Sequence, residues 1–87
     1  MKMDVNRIYE LRPKDGRKSF YGKAIVETKQ NGDEVLYSYL TPILIRKRSG
    51  ELVRVYNDWS ATTGRHIAAF CGLGKKDFMS IPYKSIR

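Results

Sequence analysis

The sequence is poor in the residues that build covalent cross-links and metal sites. It contains one Cys and one His among 87 residues. A single Cys cannot form an internal disulfide, and one Cys with one His cannot complete a zinc site. No apolar run approaches the roughly 18 residues that a membrane span needs, and no signal-peptide pattern opens the chain. We therefore expect a soluble cytoplasmic protein without a metal, a cofactor or a membrane partner.

Acidic residues are also scarce. Nine Asp and Glu stand against seventeen Lys and Arg, which gives a net charge of +8 and a pI near 9.8. A positive field raises the encounter rate with polyanions, so nucleic acid, or a complex that exposes it, is the leading partner class. The alternative is that the charge only aids solubility. A hydrophobic content of 41% is adequate for a single domain over residues 1–87, of which residues 1–19 are the least clear part.

The chain does contain a pattern of strands followed by a helix. YGKAIVETKQ reads as a strand, and Asn31-Gly32 then favours a two-residue hairpin turn. EVLYSYLTPILIRKR reads as the second strand, Ser49-Gly50 as a turn, and ELVRVYNDW as the third strand. This order predicts an α+β fold: an antiparallel β-meander of three to four strands, one main helix packed on one face, and a short C-terminal helical turn.

The Asn31-Gly32 turn also predicts which residues share a face of the sheet. A two-residue loop puts Val26 opposite Tyr37, and the more apolar face is expected under the helix. That face is Ala24, Val26, Val35, Tyr37, Tyr39, Ile43, Ile45, Leu52 and Tyr56. The mixed face is Lys23, Ile25, Glu27, Leu36, Ser38, Leu40, Leu44, Arg46, Val53 and Val55. Pro42 marks an edge position or a bulge, and a bulge would exchange the faces beyond it.

The mixed face combines an apolar centre with a charged fringe, which is typical of an interface. Its candidate contact residues are Lys23, Leu36 and Leu40, and Trp59 is added at the strand–helix junction. The expected occupant is the N-terminal segment, a second copy in a homodimer, or the target. For Trp59 the main interpretation is a core position that anchors this junction, and a stacking platform is the alternative.

The stretch WSATTGRHIAAF predicts a helix over residues 61–71. Ser60 is a suitable N-cap and Gly72 suits a left-handed C-terminal residue. His66 lies on the flank of this helix and points about 140° away from Cys71 at 100° per residue, so the two cannot form a catalytic pair. Ser60, His66 and Asp58 lack an oxyanion hole. We therefore predict no enzymatic activity and no catalytic residue.

The candidate binding residues are basic side chains at turns, together with an exposed pair on the helix. An Arg followed by an imidazole near a helix N-terminus can hold a phosphate or a carboxylate, although a solvated pair is the simpler alternative. The predicted set is Arg46, Lys47, Arg48, Arg54, Arg65, His66, Lys75 and Lys76. Lys75 and Lys76 also begin the short second helix, which Pro82 limits.

Four segments resemble small proteins encoded by bacteriophages and other mobile elements. They are KSFYGKA at 18–24, SYLTPI at 38–43, WSATTGRHIAAF at 59–70 and GLGKKDFMSIP at 72–82. The resemblance centres on a [YW]-S-x-T-T-x-R-H-I-x-x-F helix and implies a phage or prophage origin. By analogy it implies an accessory protein or a host-defence inhibitor, anti-CRISPR-like, in the host cytoplasm. Its partner would be nucleic acid or a host protein or nucleoprotein complex. The alternatives are a DNA- or RNA-binding regulatory module and a homo-oligomeric structural protein.

Overall fold

The computed structural model describes residues 7–11 and 22–84. Five strands are followed by two helices: β1 (Arg7–Glu10), β2 (Ala24–Thr28), β3 (Glu34–Ser38), β4 (Thr41–Arg46), β5 (Leu52–Arg54), α1 (Ala61–Cys71) and α2 (Lys75–Ser80). The strands lie side by side in chain order, and each neighbouring pair is antiparallel. The predicted α+β meander is therefore confirmed, with one strand more than expected. Apart from β1 and Leu11, the ambiguous segment 1–19 lies outside the described residues.

The long apolar segment predicted as one strand is a hairpin of β3 and β4. Ser38 pairs with Thr41, so the turn consists of Tyr39 and Leu40 alone. Their φ angles are 53° and 68°, and positive φ at both positions is the geometry of a type I′ turn. Such turns usually contain Asn-Gly, and a bulky residue at positive φ is unusual. The sequence therefore carries no local signal for this turn.

The loop between β2 and β3 is longer than predicted. Thr28 pairs with Glu34, and within the loop the Lys29 amide donates a 2.7 Å hydrogen bond to the Asp33 carbonyl. Gly32 takes the left-handed position at φ 95°, as in a three-residue hairpin loop with a bulge. Val26 consequently pairs with Leu36 instead of Tyr37, and the predicted register was wrong by one residue.

This single shift turns β3 over, because neighbouring residues of a strand point to opposite faces. Leu36 and Ser38 lie under the helices, where they are 0% and 2% exposed. The prediction that Leu36 belongs to an interface face was wrong for this reason. Val35 and Tyr37, expected under the helix, lie on the opposite face beside Ile25 and Ile45, their pairing partners.

A β-bulge next to Pro42 places Leu44 of β4 on the same face of the sheet as Leu36 of β3, under the helices. Leu36 pairs with Leu44 and Tyr37 with Pro42, so Ile43 is an extra residue on β4. Ile43 and Leu44 are both buried, at 1% and 0% exposure. The bulge that the sequence offered as one interpretation of Pro42 is thus present, and it exchanges the faces beyond it.

The core lies between one face of the sheet and the two helices. It contains Val26, Leu36, Ile43, Leu44, Ile67, Phe70 and Phe78. The predicted ends of α1 are confirmed: Ser60 Oγ accepts a 3.1 Å hydrogen bond from the Thr63 amide, and Gly72 has φ 81°. The short second helix also begins at Lys75 as predicted. In the described part of the chain, neither helix has the length and apolar character required to cross a bilayer.

Candidate interaction surfaces

Four of the predicted basic residues lie at the end of the molecule where α1 finishes. Lys47 and Arg48 follow β4, at the same end of the sheet as the β2–β3 loop, because the Arg48 amide donates to Asp33 Oδ1 at 2.9 Å. Lys75 and Lys76 start α2, only three residues after α1 ends. All four are exposed. We call Lys47, Arg48, Lys75 and Lys76 the basic end.

The position of the α1 terminus at this end is set by Arg46. Its Nη1 donates to the Phe70 carbonyl at 3.1 Å, which ties the last turn of the helix to the end of β4. Among residues 7–11 and 22–84, no ion pair or hydrogen bond engages the side chains of the basic end. Of the nearby carboxylates, Asp33 already accepts from the Arg48 amide and from Asn31 Nδ2 at 3.3 Å. The basic end therefore presents exposed cations from two turns of the chain.

Arg46 and Arg54, also predicted to bind a partner, support the fold instead. Arg46 Nη2 lies 2.7 Å from Glu34 Oε1, and its guanidinium lies 4.3 Å from the centre of the Phe70 ring. Arg54 is 7% exposed, and its Nε donates to the Ile81 carbonyl at 2.7 Å. Both guanidinium groups are bonded to backbone carbonyls, and that of Arg46 also to a carboxylate. Arg54 lies inside the molecule, whereas the Arg46 side chain is 34% exposed beside the basic end.

His66 is buried, so the prediction of an exposed Arg65–His66 pair was wrong for the imidazole. It is 2% exposed, and its Nδ1 lies 2.8 Å from Ser38 Oγ. Ser38 Oγ is also 3.4 Å from Thr63 Oγ1. This network exists because the register shift brings Ser38 under α1. Burial lowers the pKa of His66 below 6.5, and the nearby charge of Arg65 lowers it further. The imidazole is therefore neutral at pH 7, whereas Arg65 is exposed as predicted.

A pocket of about 340 Å³ opens beside this network, between the Tyr39–Leu40 turn and the start of α1. Its lining is Ser38, Tyr39, Thr41, Ile43, Tyr56, Ser60, Thr62 and Thr63. Every lining residue except Ile43 carries a hydroxyl group, and we call this cavity the hydroxyl pocket. Sequence reasoning missed it because these residues come from four separate segments. Only the turn at Tyr39 and the β4 bulge bring those segments together.

The Tyr39–Leu40 turn forms the rim of the hydroxyl pocket and projects from the sheet. Tyr39 is 54% exposed and Leu40 is 79% exposed. The Tyr39 ring lies 6.0 Å from the His66 ring, and Lys23 Nζ lies 5.4 Å from the centre of the Tyr39 ring. Lys23 and Leu40 are thus exposed, as their predicted interface role requires.

Trp59 is half-buried at the strand–helix junction. Its ring lies 5.7 Å from the Phe78 ring, and it packs against the core cluster. This position agrees with the main interpretation of Trp59 as a core residue that anchors the junction. A role as an exposed stacking platform has no support from this packing.

The open face of the sheet carries another, smaller concavity. Its volume is about 260 Å³, and it is lined by Ile8, Ile25, Glu27, Tyr37 and Leu40. Ile8 is 67% exposed, and Tyr37 donates a 2.9 Å hydrogen bond to Glu27 Oε1. This is the mixed face predicted from the sequence, but its membership differs because β3 is turned over.

In the described part of the chain Cys71 is not paired with an imidazole, whereas Ser38 Oγ and His66 Nδ1 lie within hydrogen-bonding distance at 2.8 Å. Cys71 Sγ donates to the Ile67 carbonyl at 3.5 Å, and burial raises the pKa of its thiol. His66 faces Ser38 instead, and Ser38 is buried with it. Over the same described ranges, no cluster of three or more His, Cys, Asp or Glu side chains is arranged to hold a metal ion. What this part of the molecule presents is a set of exposed cations, a polar pocket and an exposed turn.

Comparison with known proteins assigns a family. Residues 8–86 match the sequence profile of DUF8033, a family of unknown function, and the chain belongs to that family. No curated protein and no solved structure matches the chain significantly.

Proposed function

We propose that this protein is a non-enzymatic binding protein of the phage accessory or inhibitor type. It engages the nucleic-acid part of a host nucleoprotein complex, stoichiometrically and without chemistry. The proposal rests on the basic end, whose four exposed cations come from the turn after β4 and from the start of α2, near the end of α1. No described residue forms an ion pair with them.

The geometry of the basic end suits a phosphate backbone. The backbone amide of Arg48 donates a hydrogen bond to Asp33. The aliphatic part of the Arg48 side chain covers Gly32, since a Cβ placed at Gly32 would lie 3.1 Å from Arg48 Cγ and Cδ. Its position is therefore restrained, while Lys47, Lys75 and Lys76 remain adjustable. Phosphate contacts by such side chains give affinity that depends little on sequence. Glu51 and Asp77 lie in the same turns, so the field is positive but moderate.

The test is the salt dependence of binding to nucleic acid, measured by fluorescence anisotropy. For duplex DNA, each phosphate neutralised contributes a log–log slope of about −0.9, so four contacts predict roughly −3.6. This corresponds to about a 150-fold loss of affinity between 50 and 200 mM salt. Replacing all four residues of the basic end with Gln should bring the slope close to zero.

A charge-matched control separates a specific surface from net charge. Lys47→Gln with Lys75→Gln should reduce the slope by about two contacts. Arg7→Gln with Lys84→Gln removes the same charge outside the basic end and should leave the slope nearly unchanged. Equal effects of the two double variants would contradict the proposed surface. A flat salt response, with nuclease-resistant binding to a purified host protein, would exclude direct nucleic-acid binding.

A further inference from the structure

The turn at the rim of the hydroxyl pocket is built with residues that oppose its backbone geometry. Tyr39 and Leu40 both have positive φ, at 53° and 68°. Glycine and asparagine adopt this conformation with little strain, whereas other residues do so at a cost. Unfavourable backbone conformations concentrate at ligand-binding sites, where they place a side chain that function requires. Here the result is an aromatic ring, 54% exposed, standing beside a pocket.

The pocket itself is polar but carries no charge in its lining. Its hydroxyl groups both donate and accept hydrogen bonds, so they suit a ligand with neutral hydroxyls and carbonyls. Its volume of about 340 Å³ lies within the range of small-ligand sites. The Tyr39 ring supplies a flat apolar surface at the rim, and Lys23 stands 5.4 Å from the centre of that ring.

The inner wall of the pocket is held in place before any ligand arrives. Ser38 and Thr63 line it, and both are buried, at 2% and 6% exposure. Ser38 is positioned by the neutral His66, whose Nδ1 is 2.8 Å away. Thr63 is positioned by α1, because its amide is bonded to the Ser60 side chain. Hydroxyl groups with restrained positions select a ligand more sharply than mobile ones.

From this arrangement we infer that the hydroxyl pocket binds one unpaired ribonucleotide. The Tyr39 ring stacks on the base, the hydroxyl lining takes the ribose with its 2′-OH, and Lys23 meets the adjoining phosphate. Stacking on aromatic rings and recognition of the 2′-OH are how proteins select single-stranded RNA over DNA. The inference rests on the proposed function and narrows its ligand to single-stranded RNA. The basic end then holds the backbone of the same strand non-specifically.

The test compares 12-nucleotide single strands of uridine RNA and deoxyuridine DNA, with a duplex DNA as reference, by anisotropy at fixed salt. RNA should bind the native protein roughly tenfold tighter than the matched DNA. Tyr39→Ala should weaken RNA binding roughly 5- to 150-fold, the range expected for one stacked base, and Tyr39→Phe should retain it. Thr62→Val keeps the shape of an exposed pocket residue and should weaken binding to RNA but not to DNA.

Lys75→Gln is the matched control, since it lies on the basic end and should weaken RNA and DNA equally. Circular dichroism melts of each variant establish that it is folded. Equal affinity for RNA and DNA, or an RNA preference that survives both Tyr39→Ala and Thr62→Val, would overturn the pocket assignment and leave the basic end standing. If no nucleic acid binds at all, the proposed function fails and this inference fails with it.

Discussion

Replacing Gly64 with alanine sets a gain in helix propensity against a steric clash with Trp59. Gly64 is buried in α1, and an added methyl group would collide with Cζ2 of the indole and lie 2.9 Å from both Cε2 and Cη2. Alanine is favoured over glycine inside a helix by about 1 kcal/mol. Overpacking a core contact costs roughly 1–3 kcal/mol, and the indole cannot move freely because its ring also packs against Phe78. We therefore expect Gly64→Ala to lower the free energy of unfolding by about 1 kcal/mol.

Urea denaturation followed by circular dichroism measures this change, and a second background isolates its cause. In a Trp59→Phe protein the indole atoms that clash are absent, so Gly64→Ala should there raise the free energy of unfolding by up to about 1 kcal/mol. The coupling between the two positions should thus be about 2 kcal/mol in the double-mutant cycle. Trp59 is the single Trp, so Gly64→Ala should also change the fluorescence of the folded protein. If Gly64→Ala stabilises both backgrounds equally, the reasoning from this contact is refuted.

Three further outcomes are expected from the strained turn, the buried imidazole and the arginine that holds α1. In thermal melts, Leu40→Gly should raise the free energy of unfolding by roughly 0.5–1 kcal/mol, because relief of left-handed strain exceeds the entropy that glycine adds to the unfolded chain. Thr41→Gly is the control: Thr41 has an ordinary φ, so this change should lower the free energy of unfolding. Since the pKa of His66 is lowered from 6.5 in the fold, the unfolded chain takes up the proton first, so stability should be complete above pH 6.5 and fall as the pH drops below it. His66 changes the free energy of unfolding by at most about 1.4 kcal/mol per pH unit, and this contribution should disappear in His66→Asn. If the pH dependence of stability were the same in His66→Asn as in the native protein, the imidazole would not be neutral and buried. Arg46→Ala should cost about 1–2 kcal/mol of stability through the lost Glu34 pair and Phe70 contact, while the salt slope of nucleic-acid binding stays the same.

The helices could be predicted closely because their limits depend on local physics. The Ser60 side chain caps the amide of a residue only three positions away, and Gly72 takes the left-handed conformation next to the turn that it ends. Such interactions are complete within one or two helical turns. They are therefore visible in the printed sequence before any packing is known.

The binding residues could be predicted only in part, because residue type does not reveal which cation the fold itself uses. Lys47, Arg48, Lys75 and Lys76 are exposed, whereas Arg54 donates to the carbonyl of Ile81, 27 positions along the chain. Both kinds of residue look alike in a list of basic side chains. The sequence does not distinguish them, because the contacts that bury Arg54 are made with residues far away in the chain and only after folding.

By itself, then, the sequence determined the α+β class, the order of strands before helices, and both ends of α1, because each depends on composition, periodicity and near neighbours. Tertiary structure alone decided the register of β3 and therefore which residues lie under the helices. Strand residues alternate between faces, so the one residue by which the β2–β3 loop exceeds the predicted two-residue turn exchanged Leu36 and Ser38 with Val35 and Tyr37. Burial of Ser38 then fixed His66 and one wall of the hydroxyl pocket. The strained turn at Tyr39 is also a tertiary effect, because packing of β3 and β4 on either side outweighs the backbone preference of the two residues between them.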